Sequence, residues 1–542
     1  MSETEVLSLD AEVRREVARR RTFAIISHPD SGKTTLTEKL LLYSGAIREA
    51  GEVKAKANRK KTVSDWMELE QQRGISVSSS VLQLDYEELR INLLDTPGHK
   101  DFSEDTYRTL MAADLALMLM DAAKGVEVQT RKLFEVCKMR GLPVMSFFNK
   151  MDRDGRDPFE LLQEVEAELG ITAIPVTWPI GAGSRFRGVY HRLDKVFHFF
   201  EANAKPGQVA LQESLNCTAD DPELLNYIEP EEQEKLVEDV ELLDGVFGDI
   251  TKEEFISGKV SPTLYGSART NFGVPIFLDL FRRMAPAPQE KDAMPKPVFP
   301  DEPRFSAFVF KIQANMDKAH RDRMAFLRIC SGKFERDMDV SHARLGKKIR
   351  LTHSKAFLAQ DRSTVDEAYA GDIVGIHDPG HFKIGDTLYT GDKVEFRGIP
   401  QFSPECFAKI ELRDPLKRKQ LQKGIEQLCE EGLVQLFVDP RIGMQDPVLG
   451  VVGVLQFDVM IFRLKDEYGV EARLARLPYS LARWVRSTDA NENPMQMDLR
   501  VPVLLDADQH PVAFFKSEWE INYTKQNAPK TLEWFATSYE AR

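Results

Sequence analysis

Between about residues 21 and 283, short apolar runs alternate with stretches of helical spacing. Residues 22–26, 91–94, 115–120 and 144–148 are runs of the kind that form strands buried on both faces. Residues 33–43 and 128–140 carry apolar side chains at three- and four-residue intervals, and the second stretch stops at Gly141-Leu142-Pro143. This alternation predicts an α/β domain with a mostly parallel sheet and a ligand at the carboxyl ends of its strands. Residues 10–21 mix Arg with Glu and read as a solvated helix leading into the fold. Residues 220–249 hold twelve acids and one base, Lys235. They read as a solvated helical insertion, with an acidic contact surface for a partner as the other reading.

The pattern changes at a proline-rich linker, residues 286–303. Beyond it, 305–312, 324–330, 349–352, 372–376 and 387–389 are short strand-like runs parted by Gly and Asp turns, which predicts a small β-barrel. From about residue 398 the order is strand 406–412, helix 415–430, strands 433–438 and 447–452, helix 455–468 and strand 470–474. That is the order of a ferredoxin-like α+β unit. The expected domains are 1–290, with an acidic insertion at about 205–260, then 303–395 and 398–542. Whether the tail beyond Arg483, with a hairpin pattern over 501–515, is docked stays open at this level.

Composition narrows the function classes. The chain has 542 residues and a net charge of −13, which argues against sequence-blind binding to nucleic acid. No apolar run reaches the length of a membrane span, and the N-terminal segment lacks the apolar core of a secretory signal. Cys137, Cys217, Cys330, Cys406 and Cys429 have no paired spacing and read as reduced structural thiols of a cytoplasmic protein. His377 and His381 straddle Pro379-Gly380, a turn rather than a helical zinc face.

Candidate chemistry lies at the ends of the predicted strands. Ser27-His28-Pro29-Asp30-Ser31-Gly32-Lys33-Thr34 has the spacing of a phosphate loop, with serine at position 27 where the general motif has glycine. Gly32 permits close approach to anionic oxygens, Lys33 supplies a point charge for the β- and γ-phosphates, and the Thr34 hydroxyl suits Mg2+. Asp95-Thr96-Pro97-Gly98-His99 follows the next strand; its carboxylate suits Mg2+ through water and the Gly98 N–H suits the γ-phosphate. In Asn149-Lys150-Met151-Asp152 a carboxylate can accept from guanine N1–H and N2–H2, a donor pair adenine lacks. Ser267-Ala268 can offer a backbone N–H to guanine O6. Singly, the last three are equally polar loops after strands; together and in this order, the four describe a GTP/GDP site.

These motifs resemble those of the translational GTPases, the elongation factor G/Tu-like superfamily. Arg73-Gly74-Ile75-Ser76 is similar to their first switch, and the His of Asp-Thr-Pro-Gly-His is their distinguishing residue. The resemblance implies that Ser76 coordinates Mg2+ where relatives commonly have Thr, and that Asp30 lies near a monovalent cation. Pro29 replaces an aliphatic gate residue. The segments 65–70, 101–108, 121–127, 177–181 and 453–458 are similar to the bacterial release-factor branch, and 320–326 to its barrel and that of elongation factor G.

The function this implies is a ribosome-stimulated GTP hydrolase of translation termination, in which His99 orients the attacking water. It would dissociate class I release factors from the ribosome after peptide release. No Gly-Gly-Gln occurs, so the chain lacks the tripeptide with which class I factors cleave the peptidyl ester. The expected partners are the ribosome near its GTPase centre and the class I factors, with no membrane and a monomeric state. Arg73 and Arg108 lie near the relevant loops and read as structural or surface residues, not arginine fingers. Basic clusters at Arg344, Lys347, Lys348 and Arg350 and at Lys417, Arg418, Lys419 and Lys423 suit phosphate contact but equally form a solvated face. An elongation factor G-like translocase and a nucleotide-gated ribosome-binding protein remain as alternatives.

Overall fold

The structure, a computed structural model, describes residues 3–47, 70, 76–200, 213–314, 323–352, 354–358, 361–397, 399, 401–489 and 491–538. The first sheet has seven strands, in the order Ser80–Tyr86, Leu89–Asp95, Arg20–Ser27, Leu115–Asp121, Val144–Asn149, Val260–Tyr265, Thr172–Pro175. All neighbours are parallel except the first pair, a hairpin. Every residue of Leu115–Asp121 is buried, as a central strand covered on both faces requires. The helices Lys33–Tyr43 and Val274–Met284 pack on this sheet through Leu36, Leu40, Phe277 and Phe281. The chain thus reaches the loops after Ser27, Asp95 and Asn149 on one edge of the domain, the carboxyl ends of the strands.

Next to this sheet stands an antiparallel four-stranded meander, Thr177–Ile180, Gly188–His191, Val196–Phe199 and Ser214–Asn216. The acidic helix Pro230–Val246 lies on it, with Leu236 and Leu243 buried and Asp239 accepting from the Trp178 indole N–H at 2.9 Å. The insertion is therefore helical as expected, and one stripe of it is core.

The second unit is an eight-stranded antiparallel, barrel-like sheet around Phe305, Val309, Leu327, Ile329, Val374 and Leu388. The N-terminal helix Glu3–Arg19 corrects the solvated reading. Val13 and Val17, one turn apart, are buried in this barrel core; Arg14, Arg15 and Arg19 face outward, while Glu12 and Glu16 turn in to Tyr369 and Arg20. A buried polar network then joins barrel and first domain. Arg20 Nε lies 2.6 Å from Asp372 Oδ2, Thr22 Oγ1 donates to the Gly371 carbonyl at 2.6 Å, and Arg328 bonds Asp114 and Thr22.

The third unit has strands Cys406–Leu412, Gln435–Phe437, Val448–Val451 and Ala472–Arg476. Their sheet order is second, third, first, fourth, with the helices Arg418–Glu430 and Val454–Tyr468 on one face: a ferredoxin-like arrangement. The chain beyond it is docked. Leu481–Ser487, Val503–Leu505, Pro511–Phe515 and Leu532–Phe535 form a further antiparallel sheet, held to the first by Phe407, Phe437 and Phe514. Among the described residues no helix is long and apolar enough to cross a membrane.

One histidine of the meander makes stability depend on pH. Burial, aided by the neighbouring His191, pushes His198 down to about 4 from an ordinary 6.5, and His191 is also lowered by burial. Asp194, with Arg283 bonded to it, stands against the same pair. The unfolded chain therefore binds more protons than the folded one between pH 4 and 6.5, so stability falls as pH drops through that window. Discounted for partial exposure, the His198 contribution is about 1–2 kcal/mol. His198→Gln is expected to lose less stability than the unaltered protein between about pH 7 and 5, read as thermal midpoints. Equal losses in the two proteins would reject this account.

Candidate active site

The buried strand Arg20–Ser27 feeds a tight loop. The Ser31 hydroxyl and N–H both turn onto the His28 carbonyl, at 2.9 and 3.3 Å. Asp30 (φ 67°) and Gly32 (φ 99°) both take left-handed conformations. At Gly32 this is joined by a steric demand, because a Cβ there would overlap Asn149 Nδ2. Lys33 and Thr34 open the helix Lys33–Tyr43, whose start carries no side-chain cap. Uncapped N–H groups at a helix start, preceded by such a loop, suit an anion.

Lys33 Nζ lies 2.6 Å from Asp95 Oδ1 and 3.4 Å from Ser76 Oγ. Lys33, Ser76 and Asp95 thus converge, with Thr34 adjacent in sequence to the lysine. Thr96 fixes the next loop by donating to the Ile25 carbonyl at 2.6 Å, and the Pro97 carbonyl accepts from Thr106 Oγ1 at 3.1 Å. A Cβ on Gly98 would stand 3.3 Å from Pro29 N, so this loop runs against the phosphate-type loop. The Ser76 hydroxyl and the Asp95 carboxylate are hard oxygen donors of the kind that fit Mg2+, and Thr34 beside Lys33 would supply a second hydroxyl. Among the described residues, no three or more His, Cys, Asp or Glu side chains form a metal cage.

On the other flank, Asn149 Nδ2 donates to the Ser31 carbonyl and its Oδ1 accepts from the Ala268 N–H, both at 2.8 Å. Lys150 Nζ bonds the Asp30 carbonyl at 2.5 Å and Asp121 Oδ2 at 2.7 Å. Asp152 accepts from Ser267 Oγ at 2.6 Å and has Arg269 at 3.7 Å. The Met151 side chain is buried in the core, while its N–H donates to the Gly266 carbonyl at 3.1 Å. The Ala268 N–H bonds Asn149 Oδ1 at 2.8 Å and the Ser267 N–H bonds the Phe272 carbonyl at 3.0 Å. A tight 3-10 turn, Ala268–Thr270, folds this segment back on itself.

His99 caps a 3-10 turn, Lys100–Phe102, and its ring is 28% exposed at this same edge. His28 Nε2 faces Glu127 at 3.3 Å. Arg108 is buried and donates to the Gly432 carbonyl at 3.0 Å, a structural link between units, as expected of it. The first-switch residues Arg73-Gly74-Ile75 and the similar segments 65–69 and 320–322 lie outside the described residues. Sequence reasoning missed Asp121 as the Lys150 partner and Asp101 beside His99. Asp121 was legible as the polar residue that closes an apolar strand; Asp101 had no such signal.

A family model described as Elongation factor Tu GTP binding domain matches residues 18–287. Elongation factor G domain 2 matches residues 304–391, and Class II release factor RF3, C-terminal domain, matches 396–525. Curated relatives include Peptide chain release factor 3 of Gloeothece citriformis, 52% identical over 522 residues and 96% of each chain. That of Symbiobacterium thermophilum is 53% identical over 527 residues, 97% of this chain and 99% of the relative. A solved structure from Thermus thermophilus shares the fold at TM-score 0.68 and 24% identity, covering 88% of this chain and 71% of that one.

The Asn149-Lys150-Met151-Asp152 motif predicts that Asp152 accepts from guanine N–H groups, and Asp152→Asn would replace one acceptor oxygen with a donor. It is expected to weaken GDP by about 1–3 kcal/mol and to spare the protein's fold. Titration with fluorescent GDP reads the loss; unchanged affinity would remove Asp152 from base recognition.

Proposed function

The chain belongs to the peptide chain release factor 3 family of translational GTPases, and from that premise we propose that it dissociates class I release factors from the ribosome after peptide release, by ribosome-stimulated GTP hydrolysis. The family assigns a GTP-hydrolysing role in translation termination. The observation that carries the site reading is the meeting of Lys33, Ser76 and Asp95 beside a loop that Asn149 ties to the Asp152 segment. Bound Mg·GTP supplies the γ-phosphoryl group and the counter-charge.

The chain's own residues do the rest by position and charge. Loop amides and Lys33 neutralise phosphate charge; Thr34 and Ser76 offer hydroxyls to the metal, and Asp95 a carboxylate through water. Asp152 selects guanine. Asp30, exposed in the loop, shares a monovalent cation near the phosphates. His99 orients the attacking water, and contact with the ribosome fixes its pose, which leaves the free protein slow. Release of γ-phosphate frees the switch segments, an order–disorder change that the two following units carry to the ribosome.

The proposed protein works as a cytoplasmic monomer. Of its basic clusters, Arg344 is held by Asp386 at 2.6 Å, whereas Lys347, Lys348 and Arg350 are exposed and available to phosphate. Termination is favoured over translocation by the third unit, which matches the class II release-factor domain.

His99→Ala is expected to keep GTP and GDP affinity and to lose about 10²–10⁴-fold in ribosome-stimulated turnover. Phosphate release with and without ribosomes reads it, alongside displacement of a labelled class I factor from post-release ribosomes. Full stimulated turnover in the variant would reject the histidine's role. Stimulated hydrolysis without displacement would reject the termination step.

A further inference from the structure

The loop that carries His99 is gripped from the third unit. Asp101 is buried, and its two carboxylate oxygens face opposite ways. Oδ2 accepts from the Leu455 N–H at 2.7 Å, at the first turn of the helix Val454–Tyr468. Oδ1 lies 3.3 Å from His99 Nδ1. The seat is made for this carboxylate: a Cβ on Gly453 would overlap Asp101 Cγ. Gln456 frames it by accepting from the Val452 and Gly453 N–H groups at 2.9 and 3.1 Å. Beside it, Phe102 packs with Val77 and Val459, so the same helix touches the segment that follows Ser76.

His99 Nδ1 has two competing partners. It is 3.2 Å from the Asp101 N–H, which it can accept only with its lone pair, and 3.3 Å from Oδ1, to which it can only donate a proton. In this structure the ring makes the first contact, as the cap of the turn; the carboxylate becomes its partner when Nδ1 carries a proton. With Nδ1 accepting, a neutral ring carries its proton on Nε2; with a proton on Nδ1 facing the carboxylate, Nε2 becomes the acceptor that can take a hydrogen bond from water. We infer that Asp101 is a positioning residue through which docking of the third unit sets the tautomer and aim of His99. The inference rests on the role proposed above for His99 and adds what controls it: the helix end of Val454–Tyr468 holds the carboxylate, and the carboxylate holds the ring. A rotation of the third unit therefore changes hydrolysis without touching the nucleotide.

Two variants test this by different routes. Asp101→Asn keeps an oxygen for the Leu455 N–H but turns an NH2 group toward Nδ1, which drives the ring proton to Nε2. Gly453→Ala leaves Asp101 intact and pushes it off the helix end. Each is expected to lower kcat for ribosome-stimulated hydrolysis by about 10–100-fold, the usual effect of removing a partner that orients a functional imidazole. The KM for ribosomes and the affinity for fluorescent GDP are expected to stay as they are, which a misfolded protein would not allow. On a His99→Ala background neither variant is expected to reduce turnover further, since both act through the ring. Wild-type kcat in either variant, a loss confined to KM, or losses that multiply with that of His99→Ala would overturn the inference. Retained turnover in His99→Ala alone would instead overturn the reading of the histidine, a distinct result.

Discussion

The side chain of Asn149 carries two contacts on which the geometry of the site depends. One end of its amide donates to the loop before Lys33 and the other accepts from the turn at Ala268. Both partners are backbone groups buried from water, so losing the side chain leaves a carbonyl and an N–H unpaired at about 1–3 kcal/mol each. It also holds Gly32 against itself, where any Cβ would collide. Three loops that are far apart in sequence thus have one relative position.

The contacts between units follow a different logic. Arg20, Thr22, Asn92 and Asp114 of the first domain meet Arg328, Gly371 and Asp372 of the barrel in a buried network. Taking such charges out of water offsets much of their attraction, so the network adds little net stability. Its value is geometric. A guanidinium that is 1% exposed must find Asp114 or stay unpaired, which admits few relative orientations of the two units. The apolar side chains Val13 and Val17 of the first helix add the non-directional part of the same interface.

What the sequence disclosed tracks how local the cause is. Leu115–Asp121 and Lys33–Tyr43 were legible because uniform burial and 3.6-residue spacing are written in neighbouring residues. The phosphate-type loop and the Asn149 motif were legible because their chemistry restricts residue types at fixed spacing. The meander from Thr177 to Asn216 escaped notice because its strands are only three or four residues long, too short for periodicity to register. The N-terminal helix misled because two valines among many charges look incidental until a barrel core receives them. Arg20 and Asp372 are 352 residues apart, and no local pattern announces such a pair.

The segment after Ser76 draws these themes together. Glu70 accepts from the Val77 N–H at 2.8 Å, Asp105 from the Ser79 N–H at 2.7 Å, and Lys311 of the barrel bonds Ser78 Oγ at 2.6 Å. Burial opposes the charge of both Asp105 and Lys311, and each nevertheless has the other as its nearest compensation: Lys311 and Arg108 hold the Asp105 carboxyl below its ordinary value. At about 1 kcal/mol net per hydrogen bond, and somewhat more for the charged ones, these contacts sum to a few kcal/mol. Reversing a two-state preference from 1:99 to 99:1 takes about 5.5 kcal/mol. The two quantities are of the same order. A switch of the kind proposed above at Ser76 would therefore compete with the barrel and third-unit contacts instead of being overwhelmed by them.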